Sequence, residues 1–88
     1  MATLIRPNGE EITVFPENKR DFQLDELQCI VGGLIELVNT IDGKIMVINE
    51  EGKIKELPVN WKATELYQYG DYDLIAGDAL ICQEHEIL

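Results

Sequence analysis

The stretch Leu24 to Val38, LDELQCIVGGLIELV, decides how the rest of the chain can be arranged. Leu24, Leu27, Ile30 and Val31 recur at spacings of three and four, which is one face of a helix. Asp25 and Glu26 lie in its first turn, where carboxylates favour the positive end of the helix dipole. Gln23 stands at the N-cap as a poor cap, and Asp21 is the alternative that would add a turn. Gly32 falls where the helix stops, because a residue there often needs positive φ and glycine takes it freely. After Gly33 the residues are apolar with Glu36 and Asn39 interleaved, so Leu34 to Val38 reads as a strand.

Upstream of this corner, Ala2–Arg6 and Glu11–Phe15 read as two strands joined by the turn Pro7-Asn8-Gly9, a hairpin with Ile12 and Val14 on one face. Downstream, Asp42-Gly43 is the strongest hairpin dipeptide and leads into Lys44–Asn49. The run Ile45-Met46-Val47-Ile48 is nearly all apolar, as expected of a central strand covered on both faces. The turn Asn49–Lys53 then feeds a short strand, Ile54–Leu57, which makes Leu34 to Leu57 a three-stranded meander. Asn60 is the expected N-cap of a second helix, Trp61 to Tyr69, stopped by Gly70. Leu74 to Cys82 reads as a strand interrupted by a bulge or turn at Ala76-Gly77, and 83–88 as a tail. The expected fold is a single α+β domain over 1–88: a mostly antiparallel sheet of about six short strands with two short helices.

Composition narrows function mainly by exclusion. Seventeen acids stand against seven bases, a net charge of −10, where nucleic-acid binding and anionic membrane surfaces call for basic surface. Lys62 is the last base, and residues 63–88 carry Glu65, Asp71, Asp73, Asp78, Glu84 and Glu86. Two explanations stay open: solubility through self-repulsion, or an acidic face that meets a basic partner. No apolar run approaches the roughly 20 residues that span a bilayer, and MATLIRPNGE lacks the features of a signal peptide, so a cytoplasmic protein is expected. Cys29 and Cys82 each lie in an apolar segment and read as buried free thiols.

Catalytic constellations are hard to assemble. The chain has no serine, and its single histidine, His85, lies near the C-terminal end of the sequence. Gly32-Gly33 follows a helix and precedes a strand, the reverse of a phosphate loop. Asp71, Asp73 and Asp78 lack EF-hand spacing. No enzymatic activity, cofactor or metal is therefore expected. The compact polar cluster Asn49, Glu50, Glu51 and Lys53, with Asn60 beyond it, is the candidate ligand or partner loop. Tyr69, Asp71, Tyr72 and Asp73 form a second candidate group, with Tyr69 and Tyr72 expected at the surface and Trp61 and Tyr67 in the core.

The phrases LDELQCIVGGLIEL, NEEGKIKELPVN followed by Ala63-Thr64, and DLIAGDALIC together resemble a family of small proteins, the domain of unknown function 3846. The resemblance spans Leu24 to Cys82 and implies an origin in bacteria, phages or mobile elements, with no activity, substrate or cofactor attached. The expected function is a small acidic binding protein whose partner is a protein, as a monomer or weak homodimer, in the setting of a phage or mobile element acting on a host protein. One alternative is a small-molecule or nucleotide binder using the Asn49–Asn60 region. A second is a mimic of DNA phosphates, although the six late acids show no regular spacing.

Overall fold

The computed structural model describes residues 1–87. Five strands and two helices follow in the order β1 (Ala2–Ile5), β2 (Glu11–Val14), α1 (Leu24–Val31), β3 (Ile35–Asn39), β4 (Ile45–Asn49), α2 (Trp61–Leu66) and β5 (Ala79–Cys82). The strands form one sheet in the order β2-β1-β5-β4-β3, every neighbouring pair antiparallel. The architecture is α+β, with five strands where the sequence suggested about six.

Alternation along β4 divides the core into two layers. Val47 points to the face covered by α1, where it packs with Leu4, Phe22, Leu27, Val31 and Leu80. Met46 and Ile48 point to the other face, beneath Ala63 of α2 and Ile75. The apolar run of β4 is thus a strand buried on both sides, as expected.

The corner around α1 forms as its residues dictate. Gln23 holds the N-cap, and its N–H donates to Glu26 Oε1 at 2.9 Å, so the first turn is closed by Glu26 reaching back. Asp21 adds no turn; it accepts from Asn18 and Gln23 side chains instead. Gly32 is left-handed at φ 80°, ψ 25° and ends the helix. Leu27 and Val31 are buried, whereas Cys29 turns to solvent, against the expectation of a buried thiol. Cys29 lies two residues from each, on the opposite side of the helix from that stripe. Cys82 is buried as expected, and burial first, then the Glu86 charge, pushes its thiol up to about 12.

Downstream, several expectations are corrected. Residues Ile54–Leu57 form no strand; the segment coils as consecutive turns, with Ile54 exposed and Glu56 at φ 56°. The place beside β4 belongs to β5, which returns from more than thirty residues away. Helix α2 ends at Leu66 rather than Tyr69, because Tyr67 turns extended and bridges Thr40. Gly70 instead packs so closely that a Cβ there would overlap the Thr64 carbonyl oxygen. Trp61 is 63 % exposed rather than in the core. The buried side of α2 is set by Asn60, Ala63 and Thr64, three and four residues apart, and Trp61 lies off it. Of the interrupted late strand only Ala79–Cys82 is regular; Ala76 makes one bridge to Val59 and Gly77 turns the chain at φ 87°.

The expected tail is packed. Glu84–Glu86 forms a 3-10 turn with Glu86 buried at 2 % exposure. Its carboxylate accepts from the Gln83 amide and pairs with the Met1 amino group. Leu88 lies outside the described residues.

Candidate functional site

A cleft of about 220 Å³ opens on the α2 side of the sheet, beside the outer end of β3 and β4. Glu36 and Val38 of β3 and Ile48 of β4 form its floor, since these positions share one face of the sheet. One wall is the coil Glu50–Ile54; the other is Tyr67 with Asp73–Ala76. Gly52 lets the two walls close behind the cleft: a Cβ there would stand 2.7 Å from the Ala76 carbonyl oxygen.

Lys53 spans the mouth and ion-pairs with Asp73 Oδ1. That bond first, then the Leu74 amide donating to the same oxygen, holds the Asp73 carboxyl below its usual range. Tyr67 is affected the other way. Burial, then the nearby Asp73 and Glu36 charges, raises its phenol above the ordinary value, so it stays a neutral donor. The cleft therefore offers a phenol, one internally paired lysine, and the carboxylates of Glu36 and Glu50 without an ion-pair partner among the described residues. Its chemistry suits hydrogen bonding and the reception of a cation. Among the described residues, no group of three His, Cys, Asp or Glu side chains is placed to hold a metal ion.

The residues singled out from the sequence separate into three groups. Asn49, Glu50, Lys53 and Asp73 come together at the cleft. Asn49 is itself 4 % exposed and holds the local architecture: its Nδ2 donates to Val31 O at 3.2 Å and its Oδ1 accepts from the Glu51 amide at 2.8 Å. Gly33 lies close by: a Cβ on it would stand 3.0 Å from Asn49 Nδ2, a tight approach. Glu51 faces away, 3.7 Å from Lys55 Nζ. Tyr69 borders the cleft only through Tyr67, their rings edge to face at 5.8 Å. Tyr72 is 89 % exposed, and Asp71 lines a separate depression with Trp61 and Glu65.

Asn60 lies wholly in the interior. Its Oδ1 accepts from Ala63 N at 3.1 Å, the N-cap bond, while Nδ2 donates to Ile5 O at 2.8 Å and Gly77 O at 2.9 Å. It clamps α2 to β1 and to the approach of β5. Glu36 and Tyr67 are cleft residues that the sequence reading passed over. Glu36 was visible as the charged position in an apolar strand, but its neighbours depend on sheet order.

The family model described as Domain of unknown function (DUF3846) matches residues 1–87, and the chain belongs to that family. No curated protein and no solved structure matches it. No helix among the described residues is long and apolar enough to cross a membrane.

Proposed function

We propose that this member of the domain of unknown function 3846 family is a non-catalytic, cytoplasmic protein-binding module whose acidic surface recognises a basic protein partner. The observation that carries this is how its few bases are used. Arg6, Lys44, Lys53, Lys55 and Lys62 each pair with a carboxylate of the same chain, five of the seven bases. Most of the seventeen acids have no ion-pair partner among the described residues, and the surface they form is strongly negative. The two thiols fit no nucleophilic role: Cys82 is buried and protonated, and Cys29 has no histidine on its face of α1. The family resemblance adds the setting, a phage or mobile-element factor acting on a host protein, which is a proposal about origin.

The test is capture of partners from bacterial lysate across a salt series, followed by rate measurements on the partner recovered. Association should weaken steeply towards about 0.5 M salt, where screening shortens charge interactions to a few ångströms. Neutralising the exposed acids Glu50, Glu65 and Asp71 together should slow association and flatten its salt dependence, with stability equal or slightly higher. Asp73 is excluded from that set because it is bound to Lys53. A folded triple variant that binds at the wild-type rate and salt slope would refute the acidic-surface reading.

A second reading has one observation of its own. The cleft brings Asn49, Glu50, Lys53 and Asp73 to a single concavity, which suits a small polar ligand. Saturable shifts of Lys53 and Tyr67 resonances on titration with a nucleotide library would favour it over a protein partner.

A further inference from the structure

Strand β3 is one edge of the sheet, and its open side can be assigned residue by residue. Thr40 N donates to Lys44 O at 3.0 Å inside the β3–β4 hairpin. Alternation by two then directs the backbone groups of Val38 and Glu36 towards β4, and those of Ile35, Leu37 and Asn39 outwards. Residues 66–68 occupy the far end of that outer side: Ile41 N donates to Leu66 O at 2.9 Å and Gln68 N to Asn39 O at 3.0 Å. The chain then turns away through Tyr69–Asp73, so the outward N–H and C=O groups of Ile35 and Leu37 have no backbone partner among the described residues.

The side chains around this open edge differ by face. On the α1 side, Leu37 is 48 % exposed, two residues along from Ile35, which packs against the α1 core. On the cleft side stands Glu36, with Glu50 and Asp73 across the opening. We propose that an extended segment of a basic protein, alternating apolar and Lys or Arg side chains, adds to the β3 edge as a sixth strand, its apolar side on Leu37 and its basic side in the cleft beside Glu36. This rests on the acidic-surface reading above and supplies the place and form of the partner.

A second copy of the chain fits poorly. Twofold pairing centred on Leu37 drives the partner strand into Gln68, and pairing centred on Glu36 sets two carboxylates directly opposite. Pairing centred on Ile35 brings in Gly32, whose φ of 80° is not extended. A net charge of −10 opposes all three. Burial first, then the Asp73 and Glu36 charges, raises the Tyr67 phenol, and those two carboxylates line the cleft where the basic side chain would lie.

The test titrates isotope-labelled protein with a short capped peptide alternating valine and lysine, beside a valine–glutamate peptide and a valine–lysine peptide N-methylated along one edge. The valine–lysine peptide should slow amide exchange at Ile35 and Leu37 and shift Glu36 and Tyr67; the other two should not. Leu37→Pro removes an outward donor and no β3–β4 bond, and should weaken binding about tenfold. The N-methylated peptide probes the same bond from the ligand side, should that variant fail to fold. Unmoved β3 amides with shifts confined to 63–73 would overturn the edge site and leave the acidic surface standing. Equal binding by the glutamate peptide would overturn the basic partner. Protection of β3 that grows with protein concentration alone would replace it with a second copy.

Discussion

Replacing Asn60 by alanine should remove more stability than any other polar truncation in the protein. The side chain is 0 % exposed and makes three hydrogen bonds, to Ala63 N, Ile5 O and Gly77 O. Each is worth about 1 kcal/mol net, and the buried partners left unpaired add desolvation cost, so Asn60→Ala should lose about 3–5 kcal/mol. That is a large share of the roughly 5–15 kcal/mol available to a small domain. Asn60→Ser retains an acceptor for Ala63 N and loses only the two donated bonds, so its loss should be smaller. Asn60→Asp keeps the cap but turns a carboxylate towards two carbonyl oxygens, and should cost no less than alanine. Urea unfolding followed by far-ultraviolet circular dichroism measures all three on one scale. A loss below about 1 kcal/mol for Asn60→Ala, or tolerance of Asn60→Asp, would show that the clamp between α2, β1 and β5 is not what the geometry implies.

Thr64→Val should cost about 1–3 kcal/mol, because Thr64 Oγ1 accepts from the buried Ile75 amide at 2.9 Å; a neutral result in the same assay would count against that bond. Gly32→Ala should cost on the order of 1 kcal/mol, since its φ is 80° but no atom lies within 4 Å of the new Cβ. Gly70→Ala should cost about 3 kcal/mol or more, as the Cβ overlaps a backbone oxygen, and equal melting temperatures for the two glycine variants would refute the distinction. Burial opposes the Glu86 charge, but the Met1 amino group and Gln83 amide outweigh it and lower its pKa below 4.5. Its stabilisation is therefore present above about pH 4.5 and lost as pH falls through the lower folded value. The stability gap between wild type and Glu86→Gln should close over that range, and a gap independent of pH would refute the assignment.

Local chemistry made about half of the fold legible. The α1–Gly32–β3 corner follows from side-chain spacing, a carboxylate in the first turn and one positive φ, all within fifteen residues. The two hairpin turns are equally local, with Gly9 at φ 91° and Gly43 at φ 85°. Asn60 was legible as a cap, because a polar residue before an amphipathic run has a specific backbone task, but its two donations to distant carbonyls were not. Trp61 and Cys29 were misplaced for one reason. On short helices the buried stripe is only two or three residues wide, and hydrophobicity alone does not say which residues define it. Glu86 read as tail because no sequence pattern announces a buried carboxylate whose partners are the Gln83 amide and the Met1 amino group.

The segment after β4 shows how the missing long-range information bears on the candidate site. An apolar pair, Ile54 and Leu57, next to a tight turn has the local signature of a third meander strand. Such a strand would have to pair beside β4, yet β4 already has β3 on one side and β5 on the other. Leu80 of β5 is fully buried in the core, which a short strand ending in Pro58 could not replace. With both edges of β4 taken, residues 50–57 coil over the sheet, Gly52 packs against Ala76, and Lys53 is delivered to Asp73. The cleft is the space between that coil and Tyr67, so it exists because the strand does not. The same topology leaves β3 outermost, with Glu36 at the cleft and Leu37 on the opposite face. Cleft and open edge are thus two consequences of one event, the return of β5 to the centre of the sheet.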